Sequence, residues 1–288
     1  MKLYAIYFSP TGGTKKVLDE LVKEWLTSGK TPQKTGKSKP QLVEVDLSDR
    51  MQSAMPLSQI TPGREDFCII AVPSYGGRVP AAALERLSRL KADHTPAVLT
   101  AAYGNRAYDD TLLELQEAAK HSGFCPVAAI AAVTEHSIMH QFGTGRPDAQ
   151  DKAELRKFVR QIKELLRPST KPSSPAAAGY MTASCALTLP GSHPYREYKG
   201  IPLKPKAGKA CTGCGACAKA CPVGAISDSH PEQTDRHRCI SCMRCIQICP
   251  AHARSLNKII LAAAGCSMKK VCSSRKKNEL YSREQRAK

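Results

Sequence analysis

Over the first 170 residues or so, short apolar runs alternate with longer segments whose apolar positions recur at helical spacing. Residues 2 to 8 form an apolar run that stops at a Ser/Pro/Thr/Gly cluster, and 14 to 28 place Val17, Leu18, Leu21, Val22 and Trp25 on one helical face. Lys30 to Lys39 is polar and lysine-rich, an exposed loop before a strand at 42 to 47. A third strand, Phe67 to Val72, stops at Pro73-Ser74-Tyr75-Gly76-Gly77-Arg78, and Val79 to Leu90 then reads as a helix with Pro80 in its first turn. Ala97 to Ala101 is a strand, Thr111 to His121 a helix, Val127 to Val133 a strand and Asp148 to Leu166 a helix with Leu155, Phe158, Val159, Ile162 and Leu165 together. Strands that alternate with helices in this way predict a parallel sheet covered on both faces.

The alternation ends at Pro168 to Pro175, a Pro/Ser/Lys stretch that marks a boundary, and residues 176 to 209 show no period. The expected organisation is an α/β domain over 1–167, a connector over 168–204, a small cysteine-rich domain over 205–255 and a helical basic tail over 256–288. Within that tail, helices are expected at Leu256 to Ala264 and around Lys269 to Tyr281.

Charge is divided unevenly. The formal net charge is +18, of which residues 1 to 167 contribute +4 and the remainder +14. No apolar stretch approaches the length of a membrane span, and the six-residue run at the N-terminus is too short for a signal-peptide core, so a cytoplasmic protein is expected.

Thirteen cysteines would be many for such a protein, but eight of them fall between 211 and 249 in one pattern. Cys211, Cys214, Cys217, Cys221 and Pro222 recur 28 positions later as Cys239, Cys242, Cys245, Cys249 and Pro250. Each run is C-x2-C-x2-C-x3-C-P, the spacing of the bacterial two-cluster ferredoxins, in which three thiolates hold one 4Fe-4S cubane and the fourth reaches the other. A pair of zinc sites would instead use two C-x2-C pairs across a longer loop. Two clusters are therefore expected, one on Cys211, Cys214, Cys217 and Cys249, the other on Cys239, Cys242, Cys245 and Cys221. Cys68, Cys125, Cys185, Cys266 and Cys272 are left as packing or free thiols.

Three loops follow strands on one edge of the predicted sheet: Ser9-Pro10-Thr11-Gly12-Gly13-Thr14, Pro73 to Arg78 and Tyr103 to Asp109. The first offers glycines, hydroxyls and helix-terminal amides to a phosphate, and it is neither a Walker A loop nor a dinucleotide fingerprint. Tyr75, Tyr103 and Tyr108 are candidates to stack on a flat aromatic group. Residues 1 to 167 resemble a flavodoxin, and the whole chain resembles fusions of a flavodoxin-like domain with a C-terminal two-cluster ferredoxin.

That resemblance implies a doubly wound parallel five-stranded sheet with a small α+β ferredoxin-like domain. It also implies FMN, its phosphate held by Ser9, Thr11, Gly12, Gly13 and Thr14. The ring would lie between Pro73, Ser74, Tyr75, Gly76 and Gly77 on one side and Tyr103, Gly104, Asn105, Arg106 and Tyr108 on the other. The +4 balance of the domain departs from the acidic character of many flavodoxins and argues against their usual cationic partners, whereas the basic tail would dock on the ferredoxin domain or steer an acidic redox partner.

Three functions follow from this reading. The leading one is electron transfer between the clusters and FMN; the second is reduction of an organic substrate at the flavin. The third is a binder of nucleic acid or another anionic surface through Lys269, Lys270, Arg275, Lys276 and Lys277, which no reading motif accompanies. His136 and His140 follow the last predicted strand, where a proton donor to flavin could sit.

Overall fold

The computed structural model describes residues 1–28, 40–51, 56–167 and 187–282. The lysine-rich stretch at 30–39, the boundary at 168–175 and Cys185 lie outside them. The chain runs β1 (Lys2–Tyr7), α1 (Gly13–Thr27), β2 (Gln41–Asp46), β3 (Phe67–Pro73), α2 (Ala81–Leu87), β4 (Thr95–Tyr103), α3 (Thr111–His121), β5 (Phe124–Val133) and α4 (Ala149–Leu165). After an irregular segment come β6 (Lys206–Ala207), α5 (Ala216–Ala220), α6 (Arg244–Gln247), β7 (Arg254–Ser255), α7 (Lys258–Cys272) and β8 (Glu279–Tyr281).

Strict alternation along the strands divides the core in two. Tyr4, Ile6, Cys68, Ile70, Leu99, Ala129 and Ala131 face one side, where Leu87 of α2 and Leu112 and Leu115 of α3 pack on them. Leu3, Ala5, Ile69, Ala71, Val98, Ala128 and Ile130 face the other, under Val17, Leu18 and Leu21 of α1 and Leu155, Val159 and Ile162 of α4. β4 and β5, buried at every position, are central strands covered on both faces. The order β2-β1-β3-β4-β5 is parallel throughout and is the flavodoxin-like order, whose crevice opens beyond the carboxyl ends of β1 and β3.

Three expectations change. The sheet has six strands, not five, because β8 pairs antiparallel with β5 through Ala129–Tyr281, Ile130–Leu280 and Ala131–Glu279. The second tail helix is therefore absent: Lys269 belongs to the last turn of α7, and the residues beyond Cys272 turn back to cover the β5 edge, which would otherwise present unpaired backbone groups. Third, β5 begins at Phe124 rather than Val127, since a register shift opposite Ala97 and Val98 accommodates Pro126, which has no amide to donate.

Cys125, expected as a packing thiol, is disulfide-bonded. Cys68 and Cys272 are buried free thiols, and Cys266 is exposed. No helix among the described residues is long and apolar enough to cross a membrane.

The cysteine-rich segment is a two-fold repeat in backbone as well as sequence. Positions in the left-handed region recur 28 apart: Gly213 and Ser241 (φ 70° and 56°), Gly215 and Met243 (72° and 66°), Gly224 and His252 (59° and 47°). α5 and α6 occupy matching places, each starting one residue before the third cysteine of its run, and β6 pairs with β7 to close the unit.

The segment is fastened to the larger domain at several points. The buried Arg86 of α2 donates to the carbonyl of Leu47 (2.5 Å) and to that of Pro222. Gln247 of α6 reaches the Thr11 carbonyl (3.4 Å). Between the two, residues 187–196 lie along α3, where Asp110 accepts from the amides of Ser192 (3.0 Å) and Arg196 (2.7 Å).

Candidate functional site

A cavity of about 310 Å³ opens at the crevice between β1 and β3. Ser9, Thr11, Gly13 and Thr14 line it from the first loop, Pro73, Ser74, Tyr75 and Gly76 from the second, and Gly104 and Arg106 from the third. The first loop is built as an anion cradle. The Ser9 amide donates to the Ser48 hydroxyl (2.6 Å), and the Ser9 hydroxyl accepts from the Lys15 amide (2.9 Å), which fixes the loop to the start of α1. Gly12, at φ 83°, turns the chain into the helix, where the amides of Gly13 and Thr14 have no intrahelical acceptor. Such amides at the positive end of a 15-residue helix suit a phosphate.

The third loop divides. Gly104 and Arg106 face the cavity, whereas Tyr103, Asn105 and Tyr108 are engaged by the returning tail. The Tyr103 hydroxyl donates to the Lys277 carbonyl (3.3 Å), and the Tyr108 hydroxyl bonds Glu279 and Tyr281 (2.6 Å each). Asn105 donates to the carbonyls of Cys272 (2.6 Å) and Ser274 (2.9 Å). Of the three tyrosines, only Tyr75 is on the cavity wall. Gly12 and Gly77 are not on that wall; Gly77 lies instead against Asp109 and Arg196.

Residues outside the three loops complete the wall. Tyr198, Ile201, Pro202 and Leu203 come from the connector, Ile260, Ala264 and Met268 from α7, and Ile240 and Ser241 from the cysteine-rich segment. The Tyr198 ring lies on Gly76 so closely that a methyl group there would overlap it. Sequence period could not find the connector residues, since that stretch has none. The even apolar character of Ile259 to Ala264 was the available sign that α7 covers something.

His136 also lines the cavity, packed on Gly104, where its ring leaves no room for a Cβ. Its Nδ1 accepts from the amides of Ile138 and Met139, both at 3.1 Å, so the ring proton resides on Nε2. Burial, helped by His140 and Arg106, depresses its pKa to about 4. Near neutrality the ring is an uncharged N–H donor and not an imidazolium. His140 is exposed and pairs with Glu135 (2.7 Å), outside the cavity.

The eight cysteines fall into two spatial sets. Cys211, Cys214, Cys217 and Cys249 surround a second, smaller cavity. Cys242 is buried, which pushes its thiol up to about 12, and the neighbouring Cys221, Cys245 and Cys239 add to that rise. Each set thus joins three cysteines of one run to the last of the other. Two repeat-related amides point at sulfur: Ala225 N to Cys221 Sγ (3.2 Å) and Ala253 N to Cys249 Sγ (3.3 Å). Burial raises the Cys249 thiol, but the amides of Ala253, Ala251 and Arg254 outweigh it and leave the group below its ordinary value.

The donor chemistry fits iron-sulfur clusters. All eight groups are thiols, amides are poised on the sulfurs of Cys221, Cys242 and Cys249, and a buried guanidinium nitrogen of Arg254, on the wall of the Cys211 set, has no partner among the described residues. An anion in that cavity would give it one.

Comparison with known proteins agrees on this segment. Residues 210–254 match the profile of a 4Fe-4S dicluster domain. The chain is 37% identical over 59 residues to a component of the ion-translocating oxidoreductase complex of Methanosarcina acetivorans, a match over 20% of this chain and 22% of that protein. The chain therefore spans about a fifth of the length of the curated relative it matches.

Among solved structures, similar chains include a Streptococcus pneumonia flavodoxin (14% identity, 57% of this chain and 99% of that one, TM-score 0.39). Flavodoxin 1 of Bacillus cereus (12%, 57% and 98%, 0.38) and the NADH:FMN oxidoreductase EMOB in its apo form (16%, 60% and 92%, 0.42) are also similar. The chain joins a flavodoxin-like α/β domain, recognisable by its own strand order, to a C-terminal 4Fe-4S domain.

Proposed function

We propose that the chain is an iron-sulfur flavoprotein that binds FMN in the switch-point cavity and two 4Fe-4S clusters on its eight thiols, and that it passes single electrons between them. When bound, a cluster exchanges one electron at a time and FMN two, and no other chemistry is asked of the cofactors. The observation that carries this reading is the shared wall: Ile240 and Ser241 line the flavin cavity and stand between Cys239 and Cys242, two ligands of one proposed cluster. Burial raises the Tyr75 phenol well above its ordinary value, and the nearby Cys242 adds to the rise, so this tyrosine too lies between the two sites.

The protein's own residues then have distinct tasks. Ser9, Thr11, Gly13 and Thr14 hold the phosphate, with Gly12 turning the chain into the helix behind them, and Pro73, Ser74, Tyr75, Gly76, Gly104 and Arg106 flank the ring. His136 offers its Nε2–H to the ring edge without titrating near neutrality. Tyr198, Leu203 and Met268 exclude water. Cys239, Cys242, Cys245 and Cys221 hold the cluster next to the flavin, and Cys211, Cys214, Cys217 and Cys249 the more distant one. That distant set includes the exposed Cys214, which makes it the side open to a redox partner.

Coverage of the cavity by α7 and the connector favours a carrier over a reductase of organic substrates, since a substrate would have to displace them. Of the five basic residues considered for an anionic surface, Arg275 is instead paired with Asp148 (2.7 Å) and Asp151 (3.1 Å). Anaerobic visible titration tests the choice. A carrier equilibrates with a one-electron donor through both cluster and flavin absorbance and consumes no organic substrate; steady turnover of such a substrate would contradict it.

A further inference from the structure

The two cysteine runs repeat at 28 residues through their trailing segments, so that Cys221-Pro222-Val223-Gly224-Ala225-Ile226 corresponds to Cys249-Pro250-Ala251-His252-Ala253-Arg254. The last pair breaks the pattern. Ile226 is buried (5% exposed) beside Cys217, Ala218 and Cys245, as an apolar residue between two cluster sites should be. Its mate Arg254 is equally buried, at 3%. A guanidinium stays charged at any physiological pH, and an uncompensated charge in such a place is costly.

Among the described residues, nothing of opposite charge compensates it. Nη1 donates to the Thr234 hydroxyl (2.8 Å) and Nη2 to the Pro231 carbonyl, both neutral. Nε is shut off from solvent and has no hydrogen-bond partner among those residues. The side chain forms part of the cavity wall shared by Cys211, Cys214, Cys217 and Cys249, and its charge is also felt at Cys245 of the other set, so the comparison between the two clusters rests on which of them it walls. A 4Fe-4S cluster on four thiolates carries about two negative charges when oxidised and one more when reduced, which is the missing counter-charge.

Building on the proposed function, we infer that Arg254 is the internal counter-ion of the cluster held by Cys211, Cys214, Cys217 and Cys249 and raises its reduction potential. The direction follows from charge: a fixed cation stabilises the more negative, reduced state more than the oxidised one. The break in the repeat thereby makes two otherwise alike cluster sites electrically unequal, with the higher potential expected at the site more distant from the flavin cavity.

The test is an EPR-monitored redox titration of the full chain, prepared anaerobically, as wild type, Arg254→Ile, Arg254→Gln and Arg254→Lys, each with its iron content measured. Arg254→Ile copies the first repeat and keeps the site filled. The expected result is that the Ile and Gln variants lower one cluster couple by at least tenfold in its equilibrium, about 59 mV for one electron, while Arg254→Lys stays nearer wild type. Both couples unchanged in an iron-replete Ile or Gln variant would overturn the inference.

If neither neutral variant retains iron, Arg254→Lys decides. Iron retained by it supports charge pairing, and iron lost from it as well overturns it. Wild-type protein that takes up no iron would instead count against the proposed function itself.

Discussion

The side-chain amide of Asn105, in the loop after β4, donates to the backbone carbonyl of Cys272 at the end of α7 across 2.6 Å. The same amide reaches the Ser274 carbonyl, and its oxygen accepts from the Lys276 amide and from Arg146, both at 3.2 Å. One buried residue of a loop expected to hold flavin thus clamps the C-terminal segment to the sheet. Asn105 also sits at φ 60°, a conformation asparagine tolerates better than most residues.

Asn105→Ala should lower stability by about 2–4 kcal/mol, from stranded polar groups and the left-handed backbone. Asn105→Gly relieves only the backbone part and should recover about 1 kcal/mol of the loss. Denaturant unfolding of the two variants checks this; equal losses would mean that backbone strain contributes nothing.

Beside that clamp, Arg146 and Asp151 form a bidentate pair at 2.8 and 2.5 Å, with side chains 4% and 0% exposed. Asp151→Asn leaves a buried guanidinium half-paired and should cost about 3–5 kcal/mol, read as a fall in Tm. Burial alone would raise the Asp151 carboxyl, but bonds from Arg146, the Asp148 amide and Asn278 hold it below its ordinary range. A depressed carboxyl contributes stability that is complete above the unfolded value, near pH 4, and lost as pH falls through the lower folded value. The wild type should therefore lose more stability than Asp151→Asn between pH 5 and 2.

His136 gives a second pH signature in a different window. Its folded pKa of about 4 lies below the ordinary 6.5, so its contribution is complete above pH 6.5 and drains away as pH falls toward 4. Urea unfolding at pH 7 and pH 5 should show the wild type losing about 1–2 kcal/mol more over that interval than His136→Gln. Parallel losses would mean that the ring is free to protonate.

Gly76 and Tyr198 offer a test of the cavity wall. An added methyl at Gly76 would lie 2.1 Å from the Tyr198 ring, at a φ of 62° that alanine resists. Gly76→Ala should weaken FMN binding at least tenfold, about 1.4 kcal/mol or more. Adding Tyr198→Ala should restore part of it. Fluorescence titration of apoprotein with FMN measures both.

The parallel sheet and the long helices α1, α3 and α4 were legible because the strands alternate or are largely apolar and each of these helices keeps its period across several turns. The 4Fe-4S domain was legible from the spacing of its cysteines alone. β8 was not: Glu279-Leu280-Tyr281 is too short to show a period, and the charges of Arg275 to Lys277 before it read as a solvated run. Tyr103 and Tyr108 had the right type and place for stacking, but the returning tail claims their hydroxyls. Local sequence cannot report a partner 170 residues away.

The measurement closest to the central claim is iron, sulfide and flavin analysis of anaerobically purified protein, repeated on Cys242→Ser and Cys214→Ser. The account predicts about eight irons, eight sulfides and one FMN per chain in the wild type, falling to about four irons in either variant with FMN retained. Zinc in place of iron, or a chain that binds no flavin after reconstitution, would contradict it.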